Sequence, residues 1–188
     1  MIKNNKHNHS SLYFIHGYQS SPNGDKATLF KNRLNATAIK YRDCKPEELE
    51  ISSCLNKIHE NIKQDENVTL IGSSLGGFLA SSIALNHLNV KKIILLNPAT
   101  ISPSTNLDSI RDIPRQIAKD MQNEELFNQK IHSKIFIIRG TEDDVILDSW
   151  VLEFAKFQEA VLLFLKDDHR FSKNLMKLPE IISKLLDY

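Results

Sequence analysis

At 188 residues and 41% hydrophobic content the chain is long enough to bury one continuous core, so a single domain over residues 1–188 is expected. Its 24 Lys and Arg against 23 Asp and Glu leave no single-sign field with which to hold a nucleic acid backbone or an acidic membrane surface, which argues against a polyanion as the main partner. No run approaches the ~20 apolar residues that span a bilayer, and the two cysteines, Cys44 and Cys54, sit in neither a C-x-x-C nor a zinc-ligand spacing, as expected of reduced thiols in a cytoplasmic protein.

The chain opens on a polar tail, residues 1–10, rich in Asn, Lys and His and without the apolar stretch of a secretory signal, which also points to the cytoplasm. Residues 12–15 read as a first buried strand, followed by a helix over 27–35 and a second strand over 38–41. Ile51, Leu55, Ile58 and Ile62 then place four apolar side chains on one helix face, with Pro46 expected in its first turn. A strand at 68–71, a helix at 75–87 and a strand at 92–96 follow. Residues 97–130 break the alternation: they carry Pro98, Pro103 and Pro114, and Ile110, Ile113, Ile117 and Met121 fall at loosely helical spacing. This stretch reads equally as a cap over the sheet or as an ordinary helix with a long entry loop. A strand at 135–138, a helix at 149–157 with Asp148 as N-cap, a strand at 161–165 and a helix at 172–186 complete the chain. Alternating strands and helices imply a compact α/β fold, a three-layer sandwich around a mostly parallel sheet of about six strands.

Within that framework residues 68–80 run from a strand through a sharp turn into a helix of small residues, with G-x-S-x-G centred on Ser74. A serine at such a turn adopts an unusual backbone conformation that lifts its hydroxyl above the sheet, and Gly72 and Gly76 keep neighbouring side chains out of the way. The pattern is short, and its weight comes from the strand before it and the partners after it. Ser73 lacks the flanking glycines, and no Lys follows as a phosphate loop would require. Where such a turn carries a nucleophile, an acid follows the penultimate core strand and a histidine the last one. Asp143 lies in the loop after residues 135–138, with Asp144 as its rival, and His169 in the loop after 161–165. The acid would fix the imidazole tautomer, and the imidazole would take the serine proton. His7 and His9 lie in the tail, His59 and His87 on or near helix ends, and His132 before a strand, so each fits less well. The first strand ends at His16-Gly17-Tyr18, a turn that would leave the backbone N–H groups of Tyr18 and Leu75 facing a developing oxyanion, with His16 as a buried structural residue.

With Gly17 and its turn His16-Gly17-Tyr18-Gln19-Ser20-Ser21-Pro22, then Lys26-Ala27, Gly72 to Gly77 and Asp168-His169-Arg170-Phe171 in one order, the chain resembles the α/β-hydrolase superfamily, and in particular the small YqiA/YcfP-type bacterial esterases. The resemblance extends from Leu12 to the C-terminus. It implies a serine hydrolase acting on a small-molecule carboxylic ester or acyl thioester, with no cofactor and no metal. Peptidase or acyltransferase chemistry would use the same residues, and a hydrolase-shaped binding protein without turnover is the rival of another class. Relatives often carry glycine just before the residues that precede the histidine, where this chain has Lys166-Asp167. Nothing in the sequence specifies an oligomeric state.

Overall fold

The computed structural model describes residues 10–188; the polar tail, with His7 and His9, lies outside the described residues apart from Ser10. Six strands form one sheet: β1 (Ser11–Ile15), β2 (Thr37–Ala38), β3 (Val68–Ser73), β4 (Val90–Leu96), β5 (Lys134–Gly140) and β6 (Val161–Leu165). They lie in the order β2-β1-β3-β4-β5-β6, and every pairing is parallel. Helices α1 (Asp25–Leu34), α2 (Ile51–Ile62), α3 (Leu75–Asn86), α4 (Arg115–Met121), α5 (Glu125–Asn128), α6 (Asp148–Gln158) and α7 (Leu178–Asp187) connect and cover them.

The central strands β3, β4 and β5 carry largely apolar, buried runs because both sheet faces are covered there, whereas Val161 and Phe164 of the edge strand β6 are exposed. With side chains alternating along a strand, Leu70, Ile93, Leu95, Ile135 and Ile137 pack under α2, α3 and α6 in one cluster. Ile71, Ile94, Leu96, Phe136 and Ile138 pack on the other face with Ala27 and Phe30 of α1 and Leu178, Ile182 and Leu185 of α7. The chain runs outward from β1 to β2 and then returns to place β3 on the other side of β1. The direction of winding therefore reverses between β1 and β3, and a crevice opens beyond the C-terminal ends of strands at such a point.

Several boundaries differ from expectation. The second strand is two residues long, Thr37–Ala38, and lies at the sheet edge. Ile39 and Tyr41 lie beyond its end and are nonetheless buried, and the Ile39 N–H still donates to the Phe14 carbonyl of β1 at 2.9 Å. Pro46 opens a separate short 3-10 turn, Pro46–Glu48, and α2 starts at Ile51. Asp148 is not an N-cap: Leu147 holds that position, Asp148 is the first helical residue, and its carboxylate faces Arg139. The last helix begins later than expected, at Leu178, after a 3-10 turn at Leu175–Lys177. The carboxylates of Asp167 and Asp168 capture the N–H groups of Arg170, Ser172, Lys173 and Asn174 and hold that stretch as a loop.

Residues 97–130 contain a 3-10 turn (Leu107–Ser109), α4 and α5. Ile117, Ala118, Met121 and Leu126 are buried in the same cluster as α2, α3 and α6, with Ile110 and Ile113 partly buried against it. The Gln122 amide donates to the carbonyls of Ser102, Pro103 and Thr105 at 3.1, 3.0 and 2.9 Å, tying the entry loop to the end of α4. Cys44 and Cys54 are free thiols. No helix among the described residues is long and apolar enough to cross a membrane.

Candidate active site

Ser74 stands between β3 and α3 with φ 54° and ψ −117°, a conformation that side-chain-bearing residues seldom adopt and that costs about 1–3 kcal/mol. The cost is imposed by the surroundings. A Cβ on Gly72 would lie 2.3 Å from the Gly76 carbonyl oxygen, and one on Gly76 would lie 2.0 Å from that of Ile15, so neither position admits a side chain. The Ser74 N–H donates to the Leu96 carbonyl at 2.9 Å, and its own carbonyl accepts from Gly77 at 2.8 Å and Ala99 at 3.1 Å. Ser73 is buried, whereas Ser74 is only half-buried. The β1 turn lies alongside: a Cβ on Gly17 would sit 3.4 Å from that of Ser74.

Asp143 and His169 meet across the β5 and β6 ends. His169 Nδ1 lies 2.9 Å from Asp143 Oδ2, with the Asp143 side chain wholly buried. An ionised carboxylate only accepts, so Nδ1 carries the proton and Nε2 is left free to accept one. Asp143 Oδ1 accepts from the N–H groups of Val145 at 2.8 Å and Ile146 at 3.0 Å. Burial pushes the Asp143 carboxyl up, but the hydrogen bond and charge of His169 and the two backbone N–H groups outweigh it, leaving it below the ordinary carboxylate value. Asp144 is exposed and takes no part in these contacts.

The roles of four residues of this region were not anticipated. Arg139, on β5, is 2% exposed and bonds Asp143 Oδ2 through Nη1, Asp148 Oδ1 through Nε and Nη2 at 2.9 and 2.7 Å, and the Ile146 carbonyl at 2.7 Å. The Asp143 carboxylate thus faces an imidazole on one side and a guanidinium on the other. Asn97, just beyond β4, is wholly buried and adopts φ 44°. Asp167, also wholly buried, accepts from the N–H groups of Asp168, Lys173 and Asn174 and from the Asn174 amide, at 2.7 to 3.1 Å. Phe171 is buried with φ 61° and plugs the loop into the α1 and α7 face of the core. The Lys166-Asp167 pair in place of glycine therefore brings a carboxylate that organises the His169 loop. The Asn97-Pro98 pair was legible as a chain break, but its side-chain partners, 71 and 72 positions away, were not.

The Tyr18 and Leu75 N–H groups, at the starts of the turn after β1 and of α3, donate to no backbone or side-chain acceptor among the described residues. His16 is 1% exposed, its ring stacked on Tyr41 at 4.3 Å and its Nδ1 2.9 Å from the Gly17 carbonyl. Burial, against the raising effect of that carbonyl, lowers its pKa to about 4, so it is neutral near pH 7 and shapes the turn. His59 and His87 stack on each other at 4.8 Å beside α2 and α3, and His132 is exposed before β5. Two surface clefts, one lined by Ser10, Tyr13, Leu34 and Thr37 and one by Leu55, His59, Ser82 and His87, include none of Ser74, Asp143 and His169. Among the described residues no group of three or more His, Cys, Asp or Glu could hold a metal ion.

The model of the family described as "Uncharacterised protein family (UPF0227)" matches residues 11–186, so the resemblance to YqiA/YcfP-type proteins holds at the level of the family. No curated protein matches the chain. Among solved structures, Est1E from Butyrivibrio proteoclasticus with ferulic acid bound is 16% identical with a TM-score of 0.77, over 99% of this chain and 92% of that one. The ydeN gene product of B. subtilis is 17% identical with a TM-score of 0.74, over 96% and 100%. An alpha-beta serine hydrolase homologue from Coxiella burnetii is 14% identical with a TM-score of 0.68, over 95% and 86%. Six parallel strands between two helical layers are here an α/β-hydrolase fold.

Proposed function

The chain belongs to the UPF0227 family and has the α/β-hydrolase fold, and from that premise we propose that it is a serine hydrolase cleaving short-chain carboxylic esters with Ser74, His169 and Asp143. The observation that carries this reading is the Asp143–His169 hydrogen bond at 2.9 Å, formed on the same sheet edge from which Ser74 projects in a backbone conformation enforced by its glycine neighbours. Such an imidazole, with Nδ1–H held by a carboxylate, presents Nε2 as a base.

In this reading His169 Nε2 takes the Ser74 hydroxyl proton as Oγ bonds to the acyl carbon. The carbonyl electron pair moves onto oxygen, where the Tyr18 and Leu75 N–H groups donate to it. The oxyanion collapses, the ester C–O bond breaks, and His169 returns the proton to the departing alkoxide. Water then loses a proton to the same imidazole and attacks the acyl-serine, and as the acyl–Oγ bond breaks His169 returns that proton to Ser74 Oγ, releasing the carboxylic acid. A thioester would follow the same course with a thiol leaving. Est1E, of the same fold, is seen with ferulic acid, itself a carboxylic acid, which supports acyl-ester chemistry for this chain.

A fluorophosphonate probe, which reacts with activated serines, tests the proposal. The wild-type protein should be labelled and Ser74→Ala should not, with ester turnover falling roughly 10⁴-fold or more. A wild-type protein that resists the probe, or an alanine variant labelled equally, defeats it. Esters and thioesters graded in acyl length then separate the substrate classes.

A further inference from the structure

We propose that Asn97 is the positioning residue that sets where His169 stands relative to Ser74, an inference that rests on the serine-hydrolase reading. The Asn97 amide uses its whole hydrogen-bonding capacity inside the protein. Oδ1 accepts from the Gly140 N–H at 2.8 Å and from Arg139 Nη1 at 3.2 Å. Nδ2 donates to the carbonyls of His169 at 3.1 Å and Asp168 at 3.3 Å. Two donors on one side and two carbonyls on the other fix which end of the amide is oxygen.

The backbone of the same short stretch holds the nucleophile. Leu96, immediately before Asn97, accepts from the Ser74 N–H, and Ala99, two residues beyond it, donates to the Ser74 carbonyl. Ser74 follows β3, Asn97 follows β4, Asp143 follows β5 and His169 follows β6, in adjacent strands of the sheet. Among the described residues Asn97 is therefore the one side chain that reaches from the segment clamping Ser74 to both the strand end bearing the acid and the loop bearing the base. Asparagine also suits its left-handed φ of 44°, which most other side chains resist.

Asn97→Asp is the discriminating variant. It keeps the acceptor toward Gly140 and Arg139 and the tolerance for positive φ, but sets an oxygen against the Asp168 and His169 carbonyls. Asn97→Gly keeps the backbone conformation without that repulsion, and takes over if the aspartate variant does not fold. Two readouts are followed on the full chain: the fluorophosphonate labelling rate with kcat and KM on p-nitrophenyl acetate, and the imidazole nitrogen NMR signals of His169. Labelling and kcat should fall roughly 100-fold, as a displacement of about 1 Å costs, while KM stays within roughly threefold. The His169 signals should pass from a single Nδ1-protonated tautomer to a mixture. A folded variant with wild-type labelling and unchanged His169 signals overturns the role of Asn97. If the wild-type protein resists the probe yet the variant changes the His169 tautomer, the hydrolase reading falls and the positioning of His169 by Asn97 stands.

Discussion

The turn that carries Ser74 is shaped by what would collide, whereas the loop that carries His169 is shaped by what is bonded. At Ser74 the glycines at 72 and 76 face backbone atoms at distances no Cβ tolerates, so the chain has one way through. At His169 the constraint is polar: Asp167 gathers four N–H groups, Asp168 gathers two more, and Asn97 holds two carbonyls. Steric constraint leaves a compact signature in neighbouring residues, and polar constraint spreads over residues far apart in the chain. The first should fail by unfolding when a methyl group is added, and the second by losing charge or donors.

The largest expected effect falls on the bonded side. Asp143→Asn should lower kcat on a p-nitrophenyl ester roughly 10⁴-fold by releasing the imidazole tautomer. If Asp144→Asn alone produced the loss, the assignment of the acid would be wrong.

Gly76→Ala tests the collision. Its added methyl would meet the Ile15 and His16 carbonyls at 2.0 and 2.7 Å from the Cβ position, where the obstacle is backbone and cannot step aside. A loss of about 3 kcal/mol is expected, lowering Tm by roughly 6–12 °C in a chain of this size. Thermal unfolding unchanged in this variant would remove the steric account of the turn.

Asp167→Asn should cost about 1.5–3 kcal/mol at neutral pH, the range for hydrogen bonds to a charged group. Burial raises the Asp167 carboxyl, but the N–H groups of Lys173, Asp168 and Asn174 and the Asn174 amide outweigh it and hold it below its ordinary value. With the folded pKa depressed, the charge stabilises the fold fully above the ordinary carboxylate range and ceases to do so as pH falls through the lowered folded value. Denaturant unfolding should therefore show wild type and variant well apart at pH 7 and converging below about pH 4. A gap that stays constant on acidification would assign the loss to packing. The smallest effect belongs to Asp144→Asn, an exposed position, where stability should stay within about 0.5 kcal/mol.

The legible parts share one property: each was written in a local pattern. Strands β3 and β5 were read within two residues at each end because runs buried on both faces are largely apolar, and the edge strand β6 was read at its observed bounds although Val161 and Phe164 on it are exposed. Ala38 to Tyr41 misled because Ile39 and Tyr41 are buried beyond the end of the short strand Thr37–Ala38. Asp148 was mistaken for a cap because a carboxylate before a helix signals one, and only the fold brings Arg139 to it from β5.

By itself the amino-acid sequence determined that strands and helices alternate, that a serine stands in a glycine-flanked turn, and that an aspartate and a histidine follow later strands, since periodicity and turn chemistry act over a few residues. Only the tertiary structure decided that Asp143 and not Asp144 faces His169, and that Arg139, Asn97 and Asp167 hold that pair. Hydrogen bonds between loops from different strands depend on which strands become neighbours, and that order is settled by packing the whole sheet between its two helical layers.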